Sequence, residues 1–317
     1  MRRDRFLRSM AALAASVSLP SPAAAAIRIT IPASRGSAWD ATGRALGRAL
    51  QEGGGAGAAV FDNLPGAAGA LGLTRFINGA KGDANALLVM GSVMLGGIIL
   101  RRPPVNLSQI TAIARLASDA HVLVLPAASP LVNMAGVVAQ LKKDPASVRW
   151  MGGPRGSTAH IAAALIARSV GVDPATIDYQ PFPGGGETAA AIQGATLMVS
   201  GGGYSEFLEP IRAGTVKPIA LASASRLRGV DIPTLREQGI AVEIGNWCGV
   251  YGAPGITFEE RAALIDKVKA ALETAAWRQS LQQNGWAQSL LTGAVFDRFV
   301  DQEFASLRAT LARAGIV

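Results

Sequence analysis

Reactive side chains are scarce in this sequence of 317 residues, which contains one cysteine, Cys248, and two histidines, His121 and His160. A single cysteine excludes an internal disulfide and any metal site built from several thiolates. No carboxylate stands at ligand spacing from His160, so we predict no metal site, and no motif predicts a cofactor. The sequence also lacks a Gly-x-Ser-x-Gly elbow, a His-Glu-x-x-His helix and paired carboxylates on one helix face. We therefore predict no catalytic residues and favour a binding protein over an enzyme.

Charged and aromatic side chains are also few. Charged residues make up 16% of the chain, tyrosine occurs 3 times, and the formal net charge is +8. Low charge together with high hydrophobicity argues against a disordered chain. The first eight residues carry four arginines and one aspartate, and without them the net charge is about +5. The remaining basic residues are scattered and do not alternate with aromatic residues, which argues against a nucleic-acid partner and suits a small anionic ligand.

No apolar run in the sequence approaches the roughly 20 residues that a membrane-spanning helix needs. Residues 1–26 instead have the pattern of a cleaved signal peptide, with an arginine-rich start, an apolar stretch over residues 10–19 and small residues ending at Ala26. No cysteine follows this segment, which argues against a lipid anchor. The paired arginines near the start resemble a twin-arginine export signal, but Phe6 stands one place late for that motif, so we favour Sec export. We therefore predict a soluble periplasmic protein that begins near Ile27.

Glycine is abundant, with 37 residues, and 50% of the chain is hydrophobic, which favours a loop-rich α/β fold of two domains. Short apolar runs alternate with amphipathic helical stretches, the pattern of mostly parallel sheets flanked by helices. The alternation restarts after Pro126, and the chain later returns to the first unit. We predict a first lobe of residues 27–124 and 247–317, a second lobe of residues 125–246, and a ligand in the cleft between them. The tail after Thr257 is predicted to be almost wholly helical.

The stretch over residues 29–40 reads as a short strand, a small-residue turn and the start of a helix. The first turn of a helix has backbone N–H groups without partners and lies at the positive end of the helix dipole, so it can bind an anion. Ser37, Ala38 and Trp39 are the candidate donors. The alternative is an ordinary helix N-terminus capped by Ser37 or Asp40, and Trp39 is either a wall of the ligand site or part of the core.

Three later stretches, residues 90–94, 152–160 and 182–187, repeat this strand–turn–helix pattern. Residues 152–160 contain three glycines followed by side chains that can donate hydrogen bonds, which indicates a second anion-binding turn. The alternative is an ordinary capped helix with a surface histidine. The glycine run at 184–186 is weak evidence for a phosphate loop, because no Lys-Ser or Lys-Thr pair follows it.

The order of these motifs resembles that of the periplasmic receptors of tripartite tricarboxylate transporters, over nearly the whole mature chain. The matching stretches are the turn ending at Trp39-Asp40, Asn63-Leu-Pro-Gly-Ala-Ala-Gly69, Met90-Gly-Ser-Val-Met94, Gly152 to His160, Gly184-Gly-Gly-Glu187, Ser200 to Phe207, Asp231 to Gly239, Asn246-Trp247 and Asn284-Gly-Trp286. The resemblance implies a two-lobed periplasmic binding protein of type II-like architecture that closes over its ligand as a flytrap does.

The resemblance also implies a function and a set of ligand-binding residues. The ligand would be citrate or a related di- or tricarboxylate, delivered to the permease subunits of a tripartite tricarboxylate transporter by a monomeric receptor. The family seats a carboxylate on backbone amides of two turns. Carried over to this chain, the binding residues are Ser37, Ala38, Trp39, Asp40, Pro65, Gly66, Ser92, Gly156, Ser157, Thr158, His160, Ser200 and Tyr204.

This sequence departs from the family pattern at both turns. Arg35, Ser37 and Ala38 replace a proline and two glycines of the first turn, and in the second turn Ala159 stands where the tricarboxylate branch usually has aspartate. Arg35 and Arg155 would add positive charge, so we hypothesise a ligand more highly charged than citrate or different from it in shape. Two alternatives stay open: a receptor of the same fold that signals to a sensor kinase, and an exported α/β enzyme.

Overall fold

Buried apolar strands form two separate sheets in the computed structural model, which describes residues 25–183, 185–192 and 198–317. The first sheet has six strands in the order β11-β4-β10-β3-β1-β2. Its strands are β1 (Ile27–Ile31), β2 (Ala59–Asn63), β3 (Ala86–Gly91), β4 (Thr111–Ser118), β10 (Trp247–Gly252) and β11 (Ala287–Thr292). We call this sheet and the helices packed on it the first lobe.

The second sheet has five strands in the order β7-β6-β8-β5-β9. Its strands are β5 (His121–Pro126), β6 (Arg149–Gly152), β7 (Asp178–Pro181), β8 (Met198–Gly203) and β9 (Val216–Leu221). We call this sheet and its helices the second lobe. The three central strands β5, β6 and β8 are almost entirely buried, because helices or loops cover both of their faces.

Helices flank both sheets. They are α1 (Ala38–Glu52), α2 (Ala70–Gly79), α3 (Ser92–Arg101), α4 (Met134–Lys143), α5 (Thr158–Ser169), α6 (Gly185–Ala191), α7 (Tyr204–Arg212), α8 (Phe258–Leu272), α9 (Ala275–Asn284) and α10 (Gly293–Arg313). Within the described residues, none of the helices combines the length and the apolar character that crossing a bilayer requires. The predicted signal peptide lies outside the described residues up to position 24.

The predicted two-lobed α/β class is confirmed, but the sheets are mixed rather than mostly parallel. Strand β10 runs antiparallel to both of its neighbours, β3 and β4, and β5 runs antiparallel to β8 and β9. The tail is also not wholly helical, since residues Ala287–Thr292 form edge strand β11 against β4. This strand is half exposed and partly polar, so its hydrophobic pattern does not predict a strand. Its pairing with β4 stabilises the extended conformation instead.

The chain crosses from the first lobe to the second between Ser118 and His121. The predicted boundary at residues 124 and 125 therefore lies within β5, all of which belongs to the second sheet. The chain returns at Trp247, where β10 begins. The two crossings touch, because the N–H group of Asp119 donates to the carbonyl of Asn246 at 3.0 Å.

Helix α10 belongs to both lobes. Its first half buries Phe296 and Val300 in the core of the first lobe, whereas Leu311 near its end is buried in the core of the second lobe. The predicted assignment of residues 247–317 to the first lobe alone therefore leaves out a third connection between the lobes.

Candidate functional site

A cavity of about 440 Å³ opens between the loops of the two lobes. This volume is within the range of small-molecule sites, roughly 300–1,000 Å³. The first lobe lines the cavity with parts of residues 32–39 and 65–69, and the second lobe with parts of residues 153–159, 181–183 and 201–206. The cavity therefore lies at the predicted cleft.

The first-lobe turn (residues 32–39) presents the N-terminus of α1 to this cavity. Ser37 caps the helix, with its hydroxyl oxygen accepting the N–H group of Asp40 at 3.3 Å. Gly36, immediately before the cap, has a φ of 80°, a left-handed conformation that favours glycine. The N–H groups of Ala38 and Trp39 lie in the first helical turn, where the helix itself supplies no acceptor. Ser37, Ala38 and Trp39 all line the cavity, so this turn can bind an anion there.

The second-lobe turn (residues 153–158) has the same construction. Ser157 caps α5 and accepts the N–H group of His160 at 3.4 Å, and Gly156 before it has a φ of 87°. Ser157 and Thr158 line the cavity. The hydroxyl of Tyr179 lies 3.3 Å from the hydroxyl of Ser157 and donates to the carbonyl of Gly153 at 2.7 Å. A pair of helix N-termini, one from each lobe, thus faces the same cavity.

Asp40 lies behind the first-lobe turn and does not line the cavity. Its carboxylate accepts the Nε–H of Arg44 with both oxygens at 3.0 Å, the amide of Asn63 at 3.0 Å and the N–H group of Gly36 at 2.9 Å. Burial acts to raise the pKa of Asp40, but the bonds from Arg44, Gly36 and Asn63 outweigh it and hold the pKa below its ordinary value. Asp40 therefore stays ionised and fixes the turn through Gly36.

His160 also supports a turn and does not face the large cavity. Its Nδ1 accepts the N–H group of Gly156 at 3.2 Å, and its ring packs on Tyr179 with centroids 4.5 Å apart. His160, Tyr179 and Arg155 line a second cavity of about 260 Å³ on the other side of the second-lobe turn. The imidazole thus holds the turn in place from behind.

The other predicted site residues divide into two groups. Pro65 and Gly66 line the large cavity, whereas Ser92, Gly156, Ser200 and Tyr204 do not. Ser92 accepts the N–H group of Trp247 at 3.2 Å, and Ser200 is fully buried in β8. The predicted glycine loop falls partly outside the described residues, because Gly184 is not among them and α6 begins at the next residue.

The two lobes approach backbone to backbone where α3 meets the second-lobe turn. A Cβ atom added to Gly96 would lie 2.1 Å from the carbonyl oxygen of Gly156, and one added to Gly156 would lie 2.3 Å from Leu100. Contacts this short do not occur between real atoms, so only glycine permits the observed approach at position 96. The lobes are therefore in direct contact beside the cavity.

The sequence analysis did not name five cavity residues as ligand-binding, although three of them lie within its motifs. Arg101, Val93, Asn246 and Cys248 line the cavity, and so does Glu206. Arg101 ends α3, and no local pattern marks it, because its position depends on where that helix points. Among the described residues, no group of three His, Cys, Asp or Glu side chains could hold a metal ion.

The sequence analysis expected Arg35 and Arg155 to add positive charge at the ligand site, and one of the two lies there. Arg155 lines the cavity, but Arg35 is exposed and does not. Arg35 comes directly before Gly36, whose left-handed conformation turns the chain at this point. The positive charge at the cavity from the first lobe therefore comes from Arg101.

Both histidines are expected to stay neutral at mildly acidic pH. Burial lowers the pKa of His121 to about 4, and burial together with the charge of Arg155 lowers the pKa of His160 to about 4. Unfolded histidine titrates near 6.5. Between these values the unfolded chain binds more protons at both positions, so their contribution to stability falls as pH decreases from about 6.5 to 4. Asp119, whose pKa burial raises to about 7, acts in the opposite direction over the same range.

The measurement is an NMR titration of the imidazole carbon resonances, assigned with a His160→Gln variant since the chain has 2 histidines. Neither ring should titrate above pH 5. A midpoint near 6.5 for His160 would mean that its Nδ1 does not accept the bond from Gly156 in solution.

Comparison with known families gives one broad match. The model of the family described as "Tripartite tricarboxylate transporter family receptor" matches residues 47–315. The chain is similar to protein BugT of Bordetella pertussis, with 24% identity over 310 residues that cover 96% of this chain and 94% of BugT.

Solved structures show the same fold. The MatC protein of Rhodopseudomonas palustris, with bound malate, has a TM-score of 0.79 at 21% identity and covers 90% of this chain and 98% of its own. A second R. palustris protein, with adipate, has a TM-score of 0.82 at 20% identity and covers 91% of this chain and 97% of its own. At these identities the likeness concerns the fold alone.

Proposed function

Because this chain belongs to the tripartite tricarboxylate transporter receptor family, we propose that it is an exported solute-binding protein for a carboxylated organic anion. The observation that carries this proposal is the pair of helix N-termini, capped by Ser37 and Ser157, that face one cavity from opposite lobes. Each offers backbone N–H groups at the positive end of a helix dipole, and a carboxylate can accept hydrogen bonds from both.

Neutral donors of this kind suit a receptor that must release its ligand. Burying several fixed charges in a closed cleft costs desolvation free energy, whereas peptide N–H groups bind an anion without adding a buried cation. Contacts made by one ligand to both turns favour the closed arrangement of the lobes, because an open cleft offers only one turn at a time. Ligand capture and lobe closure are thereby coupled.

The ligand class that we propose from the family is a di- or tricarboxylate, such as citrate or a related acid. The malate and adipate in the two solved relatives are dicarboxylates, which fits this class. We further propose, with the family membership as support, that it acts as a periplasmic monomer without enzymatic turnover after cleavage near Ala26. The bound anion would be delivered to the membrane subunits of a tripartite tricarboxylate transporter. A closed receptor differs in surface from an open one, which is the signal that a permease would read.

The test is thermal unfolding of the refolded, ligand-stripped protein against a panel of mono-, di- and tricarboxylates. A ligand at about 100 times its dissociation constant stabilises the folded state by roughly 2.7 kcal/mol, which raises the unfolding midpoint by several degrees. We expect such a shift for at least one di- or tricarboxylate and none for uncharged amides of the same acids. The proposal is wrong if no carboxylate in the panel shifts the midpoint.

A further inference from the structure

Two arginines reach the large cavity from opposite lobes. Arg101 is the last residue of α3 in the first lobe, and Arg155 lies in the second-lobe turn, where it lines both the large cavity and the second one. Both side chains are exposed, so each can change rotamer to meet a ligand without disturbing the core. Neither belongs to the helix N-termini that carry the proposed function.

Among the described residues, no carboxylate neutralises either guanidinium. Within residues 25–183, 185–192 and 198–317, no carboxylate oxygen lies within 4.0 Å of Arg101 or Arg155, although nine other ion pairs form there. The one described bond from Arg155 is a donation to the carbonyl of Tyr179 at 3.3 Å, which leaves most of its five N–H groups available. Arginine binds a carboxylate with a pair of parallel N–H groups, so each of these side chains has the donors to hold an anionic group.

The acidic side chain at this cavity is already engaged. Glu206 lines the wall, and its Oε2 accepts the N–H group of Gly203 at 3.1 Å as part of the cap of α7. Positive charge from two arginines, opposed by this one carboxylate, leaves the described wall with an excess of one positive charge. The two helix N-termini add the equivalent of about half a positive charge each, so the site as a whole matches a ligand with two carboxylates, one on the helix N-termini and one at the arginines.

Apolar side chains form part of the remaining wall, beside the amide of Asn246 and the thiol of Cys248. Pro32 and Val93 contribute from the first lobe, and Pro181, Phe182 and Pro183 contribute from the second. The proline, valine and phenylalanine side chains offer no partner to a ligand hydroxyl, and an unpaired hydroxyl in a closed cleft loses its bonds to water. The wall favours a ligand whose middle section is hydrocarbon.

We propose, on the premise of the function proposed above, that Arg101 and Arg155 bind the second carboxylate of an aliphatic diacid whose first carboxylate lies on the two helix N-termini. The diacid thereby contacts both lobes at each of its ends. This arrangement makes the two arginines the residues that distinguish diacids from monoacids. It also disfavours citrate, because among the described residues that line the cavity Arg101 and Arg155 are the basic ones and no further cation is left for a third carboxylate.

The experiment is isothermal titration calorimetry with adipate and hexanoate, which have the same six-carbon chain and differ in the second carboxylate. The proteins are the wild type, Arg101→Gln, Arg155→Gln and the double variant. Matched controls are Arg102→Gln and Arg35→Gln, which remove the same charge close by from exposed side chains that do not line the cavity.

The wild type is expected to bind adipate at least about 10-fold more tightly than hexanoate, the scale of one charge-assisted hydrogen bond. Arg101→Gln and Arg155→Gln should each weaken adipate about 10-fold or more and leave hexanoate within about 2-fold. Both control variants should bind both acids as the wild type does. Unfolding midpoints of all four single variants should stay within about 2 °C of wild type, since exposed substitutions change stability little.

Different failures have different meanings. If adipate and hexanoate bind the wild type equally, or the cavity variants weaken both acids alike, the role of the arginines is wrong and the carboxylate receptor stands. If Arg102→Gln and Arg35→Gln weaken adipate as much as the cavity variants do, the effect is that of net charge, and the assigned site is wrong. Tighter binding of citrate than of adipate would overturn the claim that the cavity prefers a ligand with a hydrocarbon middle section. No binding of any carboxylate would overturn both this inference and the proposed function.

Discussion

Replacing Asp40 with alanine is expected to lower the free energy of unfolding by about 3 kcal/mol, near the lower limit for breaking a buried ion pair. The Asp40 side chain is 7% exposed, whereas that of Arg44 is 34% exposed. Water can therefore solvate part of the unpaired arginine in the variant, which keeps the loss of stability near the lower limit. The amide of Asn63 and the N–H group of Gly36 would also lose their acceptor. Urea denaturation measures the difference.

The ligand affinity of the Asp40 variant should fall as well, because the bond to Gly36 fixes the turn that presents Ser37. Glu209→Ala serves as the matched control. Its partner Arg212 lies at a similar distance, but both side chains are more than 60% exposed, so the change should cost less than about 1 kcal/mol. An Arg44→Ala/Asp40→Ala double variant should cost less than the sum of the two single changes. Equal costs for Asp40→Ala and Glu209→Ala would contradict the structural role of Asp40.

Replacing Gly96 with alanine is expected to weaken ligand binding by roughly 5- to 150-fold, the equivalent of the 1–3 kcal/mol that overpacking costs. The added Cβ would lie 2.1 Å from the carbonyl oxygen of Gly156, and backbone cannot move aside as a side chain can. Separation of the lobes relieves the clash, so the cost should appear mainly in affinity and less in unfolding. Calorimetry with the carboxylate that gives the largest thermal shift measures this, and small-angle scattering should show a larger radius of gyration.

Gly79→Ala is the control for this prediction. Gly79 ends α2, and no atom lies within 4 Å of the position of its added Cβ. Affinity and radius of gyration should match the wild type in that variant. Wild-type affinity in Gly96→Ala would show that the close approach of the two glycines is not retained when ligand is bound.

The two turns could be predicted from sequence because their chemistry is local. In each turn a glycine adopts the left-handed conformation and the serine that follows it caps the helix. The glycine, the serine and the first helical residues lie within four consecutive positions. The alternative interpretation of each turn as an ordinary capped helix also holds in part, since both serines do cap. Trp39 likewise lies both in the core and on the wall of the cavity.

Other features depend on contacts between distant residues and could not be predicted. Arg101 reaches the cavity because α3 points there, and Asp40 turns away from it because Arg44 and Asn63 bind its carboxylate. Strand β11 exists because β4 has a free edge to pair with. Sequence patterns report periodicity and caps, whereas these features follow from tertiary contacts.

The position of β10 has a consequence for the order in which the chain folds. The second sheet is built from residues 121–221 without interruption, whereas the first sheet needs Trp247–Gly252 to join β3 to β4. Until that segment pairs, β1–β3 and β4 remain separate pieces with unpaired edges, and the closure of so long a loop is slow. We therefore expect the middle of the chain to fold first as a unit, and the N-terminal strands to become stable only when the C-terminal segment arrives.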